Sequence, residues 1–184
     1  VVELGTIRLR AVFESRASVS GAQLGLETLK KSMVTFDGES VPMVSTGYFT
    51  DKVISTVALP DFEPGTHVIE IQLCYTKETS VEWFYLLGDF GVVIEGTTAV
   101  VVEPVRQLSF GDWTCQGLPF YGGNVTYHCT SPSDGTVIQI PQYMGTTIRV
   151  SSDGQSRSIY RQPHMADIPL KEGENLDITL FGHR

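Results

Sequence analysis

Cysteine is scarce in this sequence: Cys74, Cys115 and Cys129 are the only three in 184 residues. An odd count without C-x-x-C spacing gives no even disulfide framework and no zinc-ribbon or thioredoxin-type signature. Cys115 and Cys129 flank a loop that turns back on itself and could pair; free, half-buried thiols are the default. Long apolar runs are also missing. No stretch reaches the roughly 18 residues that a membrane helix needs, so no membrane partner is expected. Nor is there an initiating Met or a signal-like segment at Val1. The chain therefore reads as a piece of a longer protein, and its localisation stays open. Basic residues are few, 13 Lys and Arg against 21 Asp and Glu, for a formal net charge of −8. They are scattered, with Lys30-Lys31 and Arg8/Arg10 the nearest to clusters. Nucleic-acid phosphates attract clustered Lys and Arg, so no nucleic-acid partner is expected.

What the sequence does have is β-strand patterning. At 41% hydrophobic and 18% charged it can bury a core and carries no bulk disorder signature. Thr6 to Phe13 alternates, with Ile7, Leu9, Ala11 and Phe13 on one face and Arg8 and Arg10 on the other. Ala22 to Thr28 is a second strand, weakened by Gly25. Met33 to Phe36 runs into Asp37-Gly38, a strong hairpin signal. Asp51 to Leu59 stops at Pro60; Glu63-Pro64-Gly65 is a turn, and Ile69, Ile71 and Leu73 alternate with polar residues after it. Val81 to Leu87 and Gly91 to Val102 complete about eight strands. Residues 16–31 hold the one weak helical stretch, and Ser18, Ser20 and Gly21 count against it.

Past Pro104 the pattern repeats. Gly123 to Tyr127 echoes Gly5 to Leu9, Arg149 to Ser156 echoes Met33 to Ser40, and Gly173 to Leu180 echoes Gly65 to Leu73. Each echo alone is cheap. Three in the same order at nearly constant offset predict two tandem copies of one sandwich, 1–104 and 105–184. The second copy stops before any counterpart of residues 82–102, so it is expected to be C-terminally truncated and incomplete. An incomplete sandwich leaves an open edge, and a homodimer formed by edge pairing is one way to fill it.

The densest stretch is Gly111 to Tyr127, GDWTCQGLPFYGGNVTY. Proline and glycine make it a rigid aromatic loop feeding a strand. Its string W-x-x-Q-G-L-P-F-Y-G-G-N-V-T-Y resembles the opening of galactose-binding-like β-sandwich modules in large bacterial glycoside hydrolases, α-L-rhamnosidase-like ones above all. Upstream, Tyr85 to Val92 resembles the closing strand of the preceding module in such proteins. The resemblance implies an all-β chain of two tandem jelly-roll sandwiches. It also implies a non-catalytic role beside a catalytic domain elsewhere in the parent, because such modules accompany catalysis more often than they perform it.

The residues themselves suggest no reaction centre. Asp89, Asp112, Glu82 and Glu95 lie near the aromatic segments, but no pair stands out as the two facing carboxyls of a glycosidase. His67, His128, His164 and His183 are dispersed, and no G-x-S-x-G elbow occurs. No cofactor is expected. A structural calcium ion is the one metal considered, on Asp134 or Asp153, without D-x-D-x-D spacing to support it. Carbohydrate contact is the sharpest option: Trp113, Gln116, Phe120, Tyr121 and Asn124 combine ring faces for pyranose C–H groups with amides for hydroxyls. The competing reading makes the same aromatics a plug that closes one end of a core. Two functions follow, a carbohydrate-binding-like accessory module and a structural sandwich pair bracing the parent's catalytic domain.

Overall fold

The computed structural model describes residues 3–79 and 81–182. The chain is all-β and forms two compact units, one up to Pro119 and the other from Phe120. Residues 105–119 belong to the first. That unit contains β1 (Glu3–Ser15), β2 (Gln23–Leu26), β3 (Ser32–Phe36), β4 (Glu39–Ser40) and β5 (Ser45–Phe49). It continues with β6 (Asp51–Ala58), β7 (Gly65–Thr76), β8 (Tyr85–Leu87), β9 (Gly91–Glu95) and β10 (Thr98–Val102).

Six of these strands form one sheet in the order β4-β3-β7-β1-β10-β9, and four form another in the order β5-β6-β2-β8. Leu24, Leu26 and Val57 of the smaller sheet meet Val34, Phe36, Ile69 and Ile71 of the larger in one buried cluster. The unit is therefore a β-sandwich. The alternation of β1 appears as expected: Ile7, Leu9, Ala11 and Phe13 are half-buried while Arg8 and Arg10 face solvent.

Several sequence-based boundaries move. Residues 91–102 fold as a hairpin, with Thr98 opposite Glu95, because Gly96 supplies a positive φ of 63° at the turn. Of Val81 to Leu87, only Tyr85–Leu87 is strand. The stretch 16–31 contains just one helical turn, a 3-10 segment over Leu29–Lys31, along with β2.

The second unit holds β11 (Val125–Thr130), β12 (Gly135–Gln139), β13 (Thr147–Ser152), β14 (Gln155–Ile159), β15 (Met165–Leu170) and β16 (Asn175–Phe181). Its sheets run β11-β16-β13-β14 and β12-β15. Ile148, Val150 and Ile159 from one sheet and Ala166, Ile168 and Leu170 from the other share a buried core. The sequence echoes become a topological identity. β1, β3, β4 and β7 occupy the same sheet positions as β11, β13, β14 and β16, and the β2–β6 pair corresponds to β12–β15. Both repeats turn on Asp-Gly with positive φ, 50° and 87° at Asp37-Gly38 and 44° and 76° at Asp153-Gly154, the geometry that a two-residue hairpin loop requires. Among the described residues the second unit has no counterpart of β8, β9 or β10.

A turn in this unit carries a pH dependence. Lys171 N–H donates to Glu174 Oε2 at 2.9 Å, and the Ser152 hydroxyl lies 2.9 Å from Oε1. The Lys171 amide first and Ser152 second hold the Glu174 carboxyl below the ordinary glutamate range. A depressed folded-state value stabilises the fold above the unfolded-state value, and that contribution is lost as pH falls through the folded-state one. The melting temperature of the second unit is therefore expected to fall more steeply below the ordinary glutamate range in the wild type than in Glu174→Gln. Parallel curves for the two proteins in thermal scans over that range would remove the contribution. Glu174 is only half-buried, so solvent screening keeps the difference small.

Candidate functional site

The aromatic stretch divides between the two units. Trp113 to Gln116 forms a 3-10 turn in the first unit, capped by Asp112, whose Oδ1 accepts from the N–H of Thr114 at 2.9 Å and from its hydroxyl at 2.7 Å. That hydroxyl first, and the amide after it, hold the Asp112 carboxyl below its usual range. Gly117 ends the turn with φ 89°, and a Cβ there would lie 2.7 Å from Val105 Cγ2. Gly117 O in turn accepts Val92 N–H at 2.8 Å, so the loop is fastened to the start of β9.

Gln116 is spent inside this loop. Its Oε1 accepts Ser109 N–H at 2.8 Å, and its Nε2 donates to Ser109 O and Asp112 O, both at 3.2 Å. Trp113 is half-buried. This half of the stretch behaves as a closed structural loop.

The half in the second unit is more open. Phe120 is 74% exposed and Tyr121 45%. The Tyr121 ring folds across Gly123, where a Cβ would come within 2.6 Å of the ring, and its hydroxyl donates to Asn124 O at 3.1 Å. Asn124 Oδ1 accepts Gly182 N–H at 3.3 Å. Tyr121 and Asn124 are thus brought together, with the ring tied to the Asn124 backbone and the Asn124 side-chain oxygen engaged by Gly182. A sequence pattern can place Gly-Gly after an aromatic; only the fold shows that the second glycine makes room for the ring.

The sequence reading of Val81 to Leu87 as a strand includes Trp83. It lies outside any strand and is 81% exposed, while Phe84 packs on the core. Near it Thr28, Leu26, Ile71, Leu73 and Glu82 border a recess of only about 10 Å³, the size of a water molecule. The Tyr85 ring lies tilted against that of Phe49, with centroids 5.3 Å apart. No periodicity signal separates an exposed Trp83 from a buried one, because its exposure depends on what lies above it.

The acids near the aromatic segments have protein partners. Glu95 makes a bidentate pair with Arg16 at 2.7 and 2.8 Å, and the guanidinium holds its carboxyl below the usual range. Asp89 pairs with Arg106 at 2.8 Å. Among the calcium candidates, Asp134 accepts Glu172 N–H at 2.9 Å and Asp153 forms the β13–β14 turn. No group of three His, Cys, Asp or Glu side chains that could hold a metal occurs among the described residues.

The histidines go to separate places. His67 sits in the first core, His128 pairs with Asp177 at 2.8 Å, His164 meets Tyr143 edge-on at 5.0 Å, and His183 lies outside the described residues. All three cysteines are free thiols, and burial raises that of Cys129. No helix of the described residues is long and apolar enough to cross a membrane.

No protein-family model and no curated protein matches this chain. Among solved structures it is similar to a GH2 β-galacturonidase from Eisenbergiella tayi, crystallised with galacturonate, at 12% identity and a TM-score of 0.28. The match covers 98% of this chain and 29% of that one.

Proposed function

We propose that this chain is a non-catalytic β-sandwich segment of a bacterial glycoside hydrolase, of the α-L-rhamnosidase-like kind, that contacts carbohydrate beside the parent's catalytic domain. The observation that carries the reading is the exposed Tyr121 ring, tied through its hydroxyl to the Asn124 backbone carbonyl and adjacent in the chain to the exposed Phe120. A pyranose C–H face stacks on such a ring, and an amide serves its hydroxyls. The two sequence strings around Tyr85 to Val92 and Trp113 to Tyr127 support the glycosidase setting. The non-catalytic part of the reading is supported by Glu95, Asp89 and Asp112, each of which caps or bridges the fold.

A second reading rests on a separate observation. The Gln116 amide is consumed inside its loop, and Gly117 is fastened to β9, so residues 113–119 serve as a brace within the first sandwich. The sugar role accordingly falls to Phe120, Tyr121 and Asn124, with Trp113 and Gln116 in the bracing half.

The test is calorimetric titration with rhamnose, galactose and plant-polysaccharide oligomers. Saturable binding is expected, weakened about ten-fold in Tyr121→Ala, which corresponds to about 1.4 kcal/mol of stacking. No heat from any sugar, with Tyr121→Ala and wild type indistinguishable, would leave bracing as the function.

A further inference from the structure

We propose that the outer edge of β12 accepts an added β-strand from a peptide partner of the β8 kind: an extended segment, antiparallel to β12, with an apolar side chain turned inward. The repeat itself says what belongs there. In the first unit β2 lies between β6 and β8, with Gln23 opposite Leu87, Leu24 opposite Leu86 and Gly25 opposite Tyr85. Leu86 and the neighbouring Phe84 pack on the core, and Leu24 and Leu26 are buried to 0% and 3%.

The counterpart of β2 is β12, and among the described residues it pairs with β15 alone. Its inward-facing Ile138, opposite Ala166, stays half-buried, as does Ile140, and Val137 is 54% exposed. Ile140 N–H donates to His164 O toward β15. Backbone direction alternates along a strand, so the N–H groups of Val137 and Gln139 point to the open edge.

This edge also lacks the usual protection. β12 reads Gly-Thr-Val-Ile-Gln, without charge or proline. Several other edges are blunted: β4 has two residues, β5 is broken by two register shifts, β9 carries the Glu95 ion pair, β14 carries Arg157, and β15 carries Asp167 and Pro169. An irregularity between Gly135 and Val137 confines straight pairing to Val137–Gln139. That span matches the ladder of Gln23 to Gly25 with β8. Strand addition uses main-chain bonds for affinity and alternate side chains for specificity. A second copy pairing through so short an edge would bury far less than the roughly 1,200 Å² of a stable interface, which favours a peptide. This inference is independent of the sugar reading.

The experiment titrates the full chain with a fluorescein-labelled synthetic peptide copying residues 82–90 and carrying a solubilising lysine tail. Saturable anisotropy is expected. Val137→Pro removes an outward N–H and no bond to β15, and it is expected to weaken binding at least ten-fold. Two further peptides, N-methylated at alternate residues in either phase, test pairing without altering the protein: one phase loses binding and the other keeps it. Equal binding by both methylated peptides, equal binding to Val137→Pro, or no saturation at millimolar peptide overturns the proposal. So does sedimentation of the peptide-free chain as a dimer that Val137→Pro converts to monomer, since the edge then belongs to a second copy.

Discussion

His67→Ala is expected to destabilise the first unit by about 3 kcal/mol, lowering its melting temperature by on the order of 10 °C. The ring lies on β7 directly opposite Phe13 and is 9% exposed. Its centroid is 5.5 Å from those of Phe13 and Phe36 and 4.9 Å from that of Phe62. Its nitrogens reach out of this aromatic nest in two directions. Nδ1 lies 2.7 Å from Asp37 Oδ2 and Nε2 2.8 Å from Glu63 O.

Asp37 in turn accepts Val68 N–H through Oδ1 at 2.7 Å, so one imidazole links the β3–β4 turn, the turn before β7 and the core. Alanine removes the packing and takes away the ring nitrogens that face Asp37 Oδ2 and Glu63 O, and the two costs add. His67→Phe separates them. It keeps the aromatic nest and forfeits both polar contacts, and is expected to fall between wild type and alanine. Thermal unfolding followed by circular dichroism reads all three proteins; a phenylalanine variant as stable as wild type would show the polar contacts to contribute nothing.

Ile168→Ala is the second large effect, and it acts on the second unit. Ile168 is fully buried on β15, in one core cluster with Ile148 and Val150 of the facing sheet. Removing its outer carbons costs about 2–5 kcal/mol, the upper part of that range applying where neighbours cannot close the cavity. A small unit has little stability in reserve, so this loss removes most of it. Amide signals of β11 to β16 are expected to lose dispersion at room temperature. Ile168→Val, which takes away a single methylene, is expected to cost about 1 kcal/mol and keep the fold. Val137→Ala on the outer face of the same sheet serves as the control and is expected to stay within about 0.5 kcal/mol of wild type. If Ile168→Ala melted together with wild type, the core assigned to this unit would be mistaken.

The sequence by itself determined those features that depend on near neighbours along the chain. Alternation at Thr6 to Phe13 marks a half-buried strand because successive side chains point to opposite faces. Asp37-Gly38 and Asp153-Gly154 mark hairpins because each pair tolerates positive φ. The three echoes foretold a duplicated sheet, since the same local patterns in the same order pack the same way.

Tertiary structure decided the rest. That β1 lies between β7 and β10, or that β12 faces an open edge, depends on pairings between distant segments that no local period encodes. β12 and β15 escaped the sequence reading because β12 offers only Val137 and Ile138 as apolar residues and β15 carries Pro169 inside its run, which argues against a strand. The first unit holds residues 105–119 because Gly117 meets Val92 across the fold. The proposed sugar residues carried the right chemistry in the sequence, yet which of them face solvent was set elsewhere. Gln116 turned its amide onto Ser109, while Gly123 gave Tyr121 room to lie open. Exposure is a property of what packs above a side chain, and that neighbour comes from another part of the chain.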